Sequence, residues 1–404
     1  MRIVIIFTTP FPYGEAGANR VISYTKAMAR LGHDVTVHCL QPPVRYSEKD
    51  NPKVPKPDVE GNINGIRYIH TAGTIYWPEE GKSWCKKLWL RFKSYIGSAK
   101  MIWRERKDID IVQIYSHDTN PFYFYHFVTA LCGVKFVSER SELPNFVKRK
   151  DSYQKTWRGR MKTRLGERAF KFFDAWILET RTLADYYLPR AKKNVPYLLV
   201  PMTVEEDRFV GLQKVVSEYG RYVAYCGNMR EDDGMSILIR AFAKVAGIYP
   251  DIKLVLAGNS KDVPAQKQLT ASLNMTDRIL FIGRLTRDEI PYFITNAEVL
   301  CLASPSSARA SASMPCKVGE YMCTGNPTIC TGQGEILKYL EDGKNAYLPA
   351  PDSVEAFAEK LNYVLSHPSE AKVVAMEGVN VALREFGTMS QAKRMIEFYS
   401  SLSD

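Results

Sequence analysis

The sequence predicts an α/β protein with two domains, each built on a mainly parallel β-sheet that is covered by helices. Short apolar runs, typical of strands buried on both faces, recur from RIVIIFT at residues 2–8 to VLCLA at residues 299–303. Segments with helical spacing separate these runs. The alternation starts again at Arg221, and 404 residues are enough for two packed cores.

The first half of the chain opens with a strand, a helix and a second strand. The turn PFPYGEAGANR follows the first strand, and the helix after it ends at Gly32 before the strand VTVHCL. Residues 43–65 are rich in proline and charge and predict an exposed loop. Further strands are predicted at residues 66–71, 111–114, 133–137 and within 169–180. The first turn lacks a G-x-G-x-x-G pattern, which argues against an enzyme that uses a nicotinamide dinucleotide.

The second half predicts its own parallel sheet, with strands at YVAYCG, IKLVLAGN, RILFIG and VLCLA. After VLCLA comes a Ser/Ala-rich loop, then Pro315 at the start of a helix that Thr324-Gly325-Asn326-Pro327 ends. Lys317 and Glu320 share one face of this helix at i and i+3. In an open α/β sheet, a loop that joins the carboxyl end of a strand to a helix N-terminus is where anionic ligands bind.

The segment MPCKVGEYMCTGNPTICT resembles the donor-binding segment of the family 4 retaining glycosyltransferases of GT-B fold, in the branch that reads P-[ST]-K-x-x-E-Y-x-x-x-G-x-P. The resemblance implies two Rossmann-like domains that face each other across an inter-domain cleft. It also implies that Lys317 reaches the diphosphate of a sugar nucleotide and that Glu320 binds the ribose hydroxyls, with Val318 beside them. The alternative is a strand–helix–strand unit whose lysine and glutamate are solvated surface residues.

Other segments are similar to further elements of this family. The histidine of SHDTNP matches one that contacts the reacting sugar, although a histidine at a strand end is also commonly a structural hydrogen bonder. The family's glycine loop after the first strand lies against the donor phosphate, and an ordinary tight turn is the alternative here. The base and the phosphates or sugar are expected near two later loops. The residues at these positions are His117 for the sugar contact; Gly14, Gly17 and Asn19 for the glycine loop; Phe281, Gly283 and Arg284 for the base; and Gly334 and Glu335 for the phosphates or sugar.

Two departures from the family pattern concern the donor site. Where most relatives read G-R-x-x-x-x-K-G, this chain reads Gly227-Asn228-Met229-Arg230-Glu231-Asp232-Asp233-Gly234, with Asp233 at the lysine position. Arg230 is expected to take part in holding the diphosphate, together with Gly227, Asn228 and Lys317. The family's E-x7-E pair is also incomplete, because Ala312 stands eight residues before Glu320. Arg309 and Ser313 are the candidates to contact the sugar hydroxyls instead.

The implied acceptor site lies in the first domain. Glu139, Arg140 and Glu142 follow the predicted strand at residues 133–137, and we expect them to open onto the cleft and to recognise the acceptor.

The net charge of +11 is concentrated in two windows of the first half. Residues 82–107 hold nine basic residues against one acidic residue, and residues 148–168 hold nine against two. The first window predicts a basic amphipathic helix, with Trp84, Leu88, Phe92, Tyr95, Ile96 and Trp103 close to a helical period. Such helices can lie on an anionic membrane surface, or their apolar stripe can pack on the domain. A nucleic-acid partner is not expected, because no binding motif accompanies the charge.

The expected location is the cytoplasm, peripheral on the inner face of the cell membrane. Residues 1–8 are too short for the apolar part of a signal peptide, and no apolar run approaches the ~18 residues of a spanning helix. Eight cysteines lie mostly in apolar runs, without metal-ligand spacing, which fits thiols in a reducing compartment. We expect no metal and no cofactor.

The resulting hypothesis is a glycosyltransferase that moves a sugar, with retention, from a UDP- or GDP-sugar to a glycan or lipid-linked acceptor in surface polysaccharide synthesis. The expected domains are an acceptor-binding domain at residues 1–201, a nucleotide-sugar-binding domain at 202–385, and a C-terminal helix at 386–404 that crosses back onto the first domain. Two alternatives stay open. One is a nucleotide-sugar epimerase, and the other is a non-catalytic GT-B partner subunit, which Ala312 and Asp233 suggest.

Overall fold

The computed structural model describes residues 1–13, 16–52, 54–79, 84–116, 118–144, 156–307, 310 and 314–402. The chain divides into two units: the first comprises Met1–Pro201 and the residues from Gln391 onward, and the second comprises Met202–Ser390.

The first unit contains an eight-stranded sheet in the order β3-β4-β2-β1-β5-β6-β7-β8. Neighbouring strands are parallel, except that β3 is antiparallel to β4. The strands are β1 (Arg2–Phe7), β2 (Asp34–Cys39), β3 (Glu60–Ile63), β4 (Ile66–His70), β5 (Ile111–Tyr115), β6 (Lys135–Arg140), β7 (Ala175–Leu178) and β8 (Tyr197–Leu199). The near-continuous burial of β1, β5 and β7 is what a sheet covered on both faces requires.

Among the residues that the structure describes, six helices belong to the first unit. They are α1 (Ala16–Arg30), α2 (Trp84–Glu105), α3 (Asn120–Cys132), α4 (Trp157–Ala169), α5 (Arg181–Tyr187) and α12 (Thr388–Ser400). Helix α12 follows the second unit in the chain, and its residues from Gln391 onward belong to the first unit. Residues of α2, α3, α4 and α5 share one core cluster, so these four helices cover the same face of the sheet. The C-terminal helix α12 is held by a hydrogen bond from the Tyr399 hydroxyl to Gln113 and another from Arg394 to the Leu199 carbonyl at 3.2 Å.

The second unit contains a five-stranded parallel sheet in the order β11-β10-β9-β12-β13. Its strands are β9 (Arg221–Gly227), β10 (Ile252–Gly258), β11 (Ile279–Gly283), β12 (Val299–Leu302) and β13 (Thr328–Cys330). Its helices are α6 (Met235–Val245), α7 (Val263–Ser272), α8 (Glu289–Thr295), α9 (Cys316–Cys323), α10 (Val354–Ser366) and α11 (Pro368–Val381). The predicted α/β class, with two parallel sheets, is confirmed.

Helix α9 begins and ends close to where the sequence places its boundaries. Pro315 is the N-cap rather than the first helical residue, with φ −68° and ψ 126°. At the other end Gly325 adopts φ +67°, which favours glycine, and the Asn326 side chain donates to the carbonyls of Ile294 and Thr295. These contacts tie the end of α9 to the end of α8.

Two details differ from the sequence-based expectations. The predicted loop at residues 43–65 contains β3, a short edge strand whose residues EGNI carry little of the apolar pattern by which strands are found. The sequence after Glu335 also predicts a helix at residues 336–340, whereas the structure has a 3₁₀ turn at Gly334–Lys338. Within the part of the chain that the structure describes, no helix is both long and apolar enough to cross a membrane.

Candidate functional site

The candidate site lies at the carboxyl ends of β9 and β12, where the strand order of the second sheet reverses. From β9 the chain builds β10 and β11 on one side, and then returns to place β12 on the other side of β9. The loops that leave two such neighbouring strands diverge and form a crevice, which is the usual ligand site of an open α/β sheet. The loop after β9 carries Asp233, and the segment after β12 leads into α9 with Lys317 and Glu320.

Lys317 lies across the end of β9. Its Nζ is 4.0 Å from an Asp233 carboxylate oxygen and 5.3 Å from the centre of the Tyr225 ring. A methyl group at Gly227 would overlap Lys317 Cε, so this position needs glycine for the lysine to occupy its place. Gly227 and Lys317, which the resemblance places at the diphosphate, are therefore in direct packing contact at the end of β9.

Asp233 accepts a hydrogen bond from the Tyr225 hydroxyl at 3.2 Å. Burial, together with the Asp233 charge, raises the pKa of Tyr225, so the tyrosine stays neutral and keeps donating. Asp233 therefore holds two partners, Tyr225 and Lys317. A lysine at position 233, as in the family pattern, would place a second cation beside Lys317. Asp233 instead partly neutralises the charge of Lys317.

Met229 holds the rest of the loop after β9. Its side chain is buried and its backbone has φ +49°. Its carbonyl accepts hydrogen bonds from the side chains of Ser260 and Gln266. Asn228 is exposed, and Arg230 forms a half-exposed ion pair with Asp232 at 2.9 Å. The structure thus keeps Arg230 at the surface of the loop, paired with its own neighbour.

Glu320 forms an ion pair with Arg208, with 3.0 Å between Oε1 and Nη1. Arg208 also donates to the Arg287 carbonyl at 2.5 Å, and Arg287 is paired with Glu205. Burial raises the pKa of the Glu320 carboxyl, and Arg208 opposes that rise. The guanidinium therefore favours the ionised form of Glu320, which is the form that accepts two hydrogen bonds from a diol.

The neighbours of Glu320 on α9 anchor the helix. Val318 is fully buried in the core, and the Tyr321 hydroxyl accepts a hydrogen bond from the backbone amide of Cys226 at 2.8 Å. A methyl group at Gly319 would meet Val204 Cγ2 at 2.5 Å, so α9 packs closely on the segment that carries Arg208. Val318 is thus a packing residue beneath the two charged side chains.

The donor-site candidates on later loops occupy varied environments. Phe281 is half-buried with the Lys267 ammonium 5.7 Å from its ring centre, and Gly283 (φ +80°) and Arg284 are exposed after it. Gly334 has φ +55°. Glu335 is buried and forms an ion pair with Lys338 at 2.6 Å, so the structure gives its carboxylate a partner inside its own turn rather than an open face.

In the first unit, Gly17 and Asn19 lie in the first turn of α1. A methyl group at Gly17 would be 3.1 Å from the Tyr115 ring, so the glycine allows α1 to approach the end of β5 closely, and Asn19 is exposed. His117, Gly14, Arg309 and Ser313, with Ala312, lie outside the described residues.

The expectation that Glu139 opens onto a cleft is wrong. Its carboxylate is buried and accepts from Arg20 at 2.8 Å, Tyr24 at 2.6 Å and Gln113 at 2.5 Å. Arg20 also donates to the carbonyls of Val200 and Pro201. A buried carboxylate needs such partners, and these tie α1, β5, β6 and the end of the first unit together.

Arg140 is also buried, contrary to the expectation. Its Nη1 donates to the Ser116 carbonyl, and its guanidinium lies 4.7 Å from the Phe122 ring centre and 5.4 Å from that of Tyr187. Burial lowers the pKa of Arg140. Of the three predicted acceptor residues, Glu142 is exposed.

Sequence reasoning missed Arg208 and Tyr225. Arg208 is 112 positions from Glu320, and no spacing relates the two residues. Tyr225 lies within an apolar strand run and is predicted there only as a core residue. The sequence feature that comes closest to indicating Arg208 is its charge, in the segment that leads into the second domain.

Comparison with known proteins shows what this chain is similar to. Residues 213–378 match the family model described as glycosyl transferases group 1. The chain is 24% identical over 182 residues to the 2-deoxystreptamine glucosyltransferase of Streptomyces kanamyceticus, covering 45% of this chain and 46% of that protein. It is 23% identical over 410 residues to the MMP alpha-(1->4)-mannosyltransferase of Mycolicibacterium hassiacum, covering 93% and 92%. The chain spans about half the length or less of the first curated relatives that it matches.

Two solved structures share the fold over nearly the whole chain. Sucrose-phosphate synthase from Thermosynechococcus elongatus has a TM-score of 0.69 at 16% identity, covering 100% of this chain and 99% of that one. Anabaena Alr3699/HepE, solved in complex with UDP, has a TM-score of 0.66 at 14% identity, covering 99% and 100%. Residues 213–378 are therefore similar to the group 1 glycosyl transferases, and the fold of the chain is that of the GT-B glycosyltransferases.

Proposed function

We propose that this protein is a glycosyltransferase that moves a sugar, with retention, from a UDP- or GDP-sugar to a glycan or lipid-linked acceptor in surface polysaccharide synthesis. The observation that carries the proposal is the placement of Lys317 and Glu320, one helical turn apart, at the point where the strand order of the second sheet reverses. This placement lies inside the segment that matches the group 1 glycosyl transferases.

In the proposed reaction, the second unit binds the donor. Lys317 and the backbone amides at the N-terminus of α9 would stabilise the diphosphate, whose charge grows as the bond to the sugar breaks. Glu320, kept ionised by Arg208, would accept hydrogen bonds from the ribose hydroxyls. His117 is proposed to contact the reacting sugar. The proposal includes no metal and no cofactor.

Asp233 gives this site a property that the family pattern does not predict. Its carboxylate lies 4.0 Å from Lys317, so it competes with the donor diphosphate for the same ammonium. Donor affinity then depends on how easily Lys317 leaves Asp233. If Lys317 never leaves, the protein is the non-catalytic partner subunit of the second hypothesis.

The acceptor is proposed to bind to the first unit, on the cytoplasmic face of the membrane. Glu142 remains a candidate acceptor contact because its side chain is exposed. Glu139 and Arg140 are not part of this proposal, since both are enclosed in the core.

A thermal-shift panel of UDP, GDP and their sugar derivatives tests the donor. A ligand at about 100 times its Kd stabilises the folded protein by roughly 2.7 kcal/mol, so one nucleotide class should raise the Tm clearly. The shift should shrink in Lys317→Ala and persist in Lys344→Ala, which removes an exposed lysine of the same unit. If no nucleotide shifts the wild-type Tm, the glycosyltransferase proposal fails and the partner-subunit reading takes its place.

An NMR time course of the donor alone separates transfer from epimerisation. The proposed transferase leaves the configuration of the donor sugar unchanged when no acceptor is present. The appearance of an epimer under these conditions would show a nucleotide-sugar epimerase. With a pool of lipid-linked or oligosaccharide acceptors added, the product's anomeric signal reports whether the configuration is retained.

A further inference from the structure

We propose that the outer face of three neighbouring helices of the first unit, α2, α3 and α4, docks on a lipid bilayer that contains anionic lipids. We call this surface the docking face. The proposal deepens the proposed membrane association of the glycosyltransferase and rests on it, while adding a surface and an orientation that the sequence does not give.

Helix α2 packs on the sheet through small residues rather than through its aromatic ones. The Ser94 hydroxyl lies 2.7 Å from the Thr71 hydroxyl, and the Ser98 hydroxyl lies 2.9 Å from His38 Nδ1. A methyl group at Gly97 would overlap the Thr71 carbonyl, so the backbones are in close contact there. The first half of the apolar stripe, from Trp84 to Phe92, therefore stays off the domain, whereas Tyr95 further along is partly buried.

The large apolar side chains at the start of α2 are consequently exposed. Trp84 is 73% exposed and Trp89 is 64% exposed, and Leu88 and Phe92 are each more than half exposed. Residues 84–89 are all exposed, so the first turns of the helix stand clear of the unit on every side. Tryptophan side chains in this setting suit the boundary between headgroups and acyl chains, where an apolar ring with one polar atom is favoured.

Helices α3 and α4 extend the same apolar surface. On α3, Tyr123, Phe127 and Leu131 are exposed at i, i+4 and i+8, which places them on one side of the helix. On α4, exposed apolar residues follow the same spacing from Trp157 to Leu165. The two helices touch, because the Tyr123 hydroxyl donates to the Leu165 carbonyl at 2.8 Å.

The three helices lie in one layer over the sheet, and their exposed apolar residues lie outside the core that they share. Ile102 of α2, Phe122 and Tyr125 of α3 and Ala169 of α4 belong to one buried cluster against the sheet. The Tyr95 ring of α2 lies 5.5 Å from the Phe124 ring of α3, so α2 is continuous with this layer.

Charge identifies the partner. Helices α2 and α4 together carry eleven lysines and arginines against two glutamates. A second copy of this face would bring like charges together, whereas an anionic bilayer accepts both the basic residues and the apolar side chains. Each basic residue close to such a surface strengthens binding by about fivefold.

Vesicle flotation tests the docking face, with vesicles of phosphatidylcholine alone and of phosphatidylcholine with phosphatidylglycerol at about seven to three. The wild-type protein should bind the second kind far more strongly. Charge reversal at Lys86, Lys87, Arg91 and Lys93 should weaken that binding by at least ~100-fold. Charge reversal at four exposed basic residues of the second unit should leave most of it intact, the four being Arg240, Lys244, Lys261 and Lys344.

A second set of variants tests the apolar part. The combined Trp84→Ser, Leu88→Ser and Phe92→Ser variant should lose most of the vesicle binding. The combined Phe127→Ser and Leu131→Ser variant should do the same. Each variant removes exposed apolar area without changing the core. The control changes Val216, Ile248 and Val373, which are exposed aliphatic residues of the second unit, to serine and should bind as the wild type does.

Several outcomes would overturn the proposal. One is unchanged vesicle binding after the charge reversal in α2. Another is a wild-type dimer in sedimentation that the combined Trp84→Ser, Leu88→Ser and Phe92→Ser variant converts to monomer. Binding to a single-stranded oligonucleotide in place of vesicles would assign the face to nucleic acid. The nucleotide thermal shift is measured on every variant. A docking variant that keeps that shift but loses vesicle binding separates this proposal from the proposed donor chemistry.

Discussion

Replacing Arg208 with alanine should destabilise the second unit, and by more at alkaline than at acidic pH. The guanidinium of Arg208 is 3.0 Å from the Glu320 carboxylate, and the two side chains are only 18% and 27% exposed. Without Arg208, the carboxylate keeps its partly buried position but loses the cation that compensates for its burial. An uncompensated charge in such a place is costly.

The expected loss follows from the burial of the pair. Breaking a fully buried ion pair by removing one partner costs ~3–5 kcal/mol, and an exposed pair contributes ~0–1 kcal/mol. With about a quarter of each side chain in contact with water, the expected cost is roughly 2 kcal/mol. For a unit of this size that lowers the Tm by about 4–8 °C.

The pH dependence follows from the direction of the Glu320 pKa. Burial raises it, and Arg208 holds it down. A carboxyl with a raised folded-state pKa contributes stability that is complete below its unfolded pKa, ~4.3, and is lost as pH rises through the folded value. Removing Arg208 raises the pKa of Glu320 in the folded protein further. The protonated carboxyl needs no cation, so the variant should lose less stability at pH ~5 than at pH ~8.

Calorimetry at both pH values checks this expectation. Arg221→Ala is the matched control, because Arg221 pairs with Asp251 at 2.8 Å while both side chains are more than half exposed, and it should cost less than ~1 kcal/mol. Adding Glu320→Gln to the Arg208→Ala variant should restore part of the stability. An equal loss at the two pH values, without recovery in the double variant, would refute the reasoning.

Three further changes test the proposed donor site, and a fourth, Gly234→Ala, serves as the comparison for one of them. Lys317→Ala should lower kcat by at least ~100-fold, as expected for one preorganised group on a departing diphosphate, and full turnover would contradict that role. Gly227→Ala should raise the donor KM several-fold, because the added methyl overlaps the end of Lys317 and comes within 2.7 Å of the Tyr225 hydroxyl. Gly234→Ala should lower the Tm more, since its methyl overlaps the Ala303 carbonyl and Gly234 has φ +81°. Asp233→Asn should tighten binding of the nucleotide diphosphate measured by calorimetry, and weaker binding would show that Asp233 positions Lys317 productively.

The sequence predicts well what depends on local pattern. The buried strands follow from continuous apolar runs, and the ends of α9 follow from Pro315 and Gly325, because backbone preference at these residues acts over a few positions. The expectation that Gly227 and Lys317 serve one ligand rests on the family resemblance, and the structure brings the two residues together at the end of β9.

What the sequence could not supply depends on contacts between distant positions. Glu139 at a strand end is expected to face solvent, and only the approach of Arg20 from α1 allows it to be buried. Helix α2 shows the same limit for packing. Its apolar residues have helical spacing, yet the close approach of Gly97 to Thr71 buries the serine side and leaves the tryptophans outside. Periodicity finds the two sides of such a helix and does not decide which one the domain covers.

The described cations around the donor site share a property that bears on the mechanism. Lys317 lies beside Asp233, Arg208 is paired with Glu320, and Arg287 with Glu205. A diphosphate that enters such a compensated site gains from a cation only by loosening one of these pairs. The Lys317–Asp233 pair has the longest separation, 4.0 Å, and joins the side chain whose end is the most mobile, so it is the pair that should open. Lys317 would then exchange the Asp233 carboxylate for the donor diphosphate. The affinity for the donor would reflect the difference between these two interactions of Lys317 rather than the strength of either one.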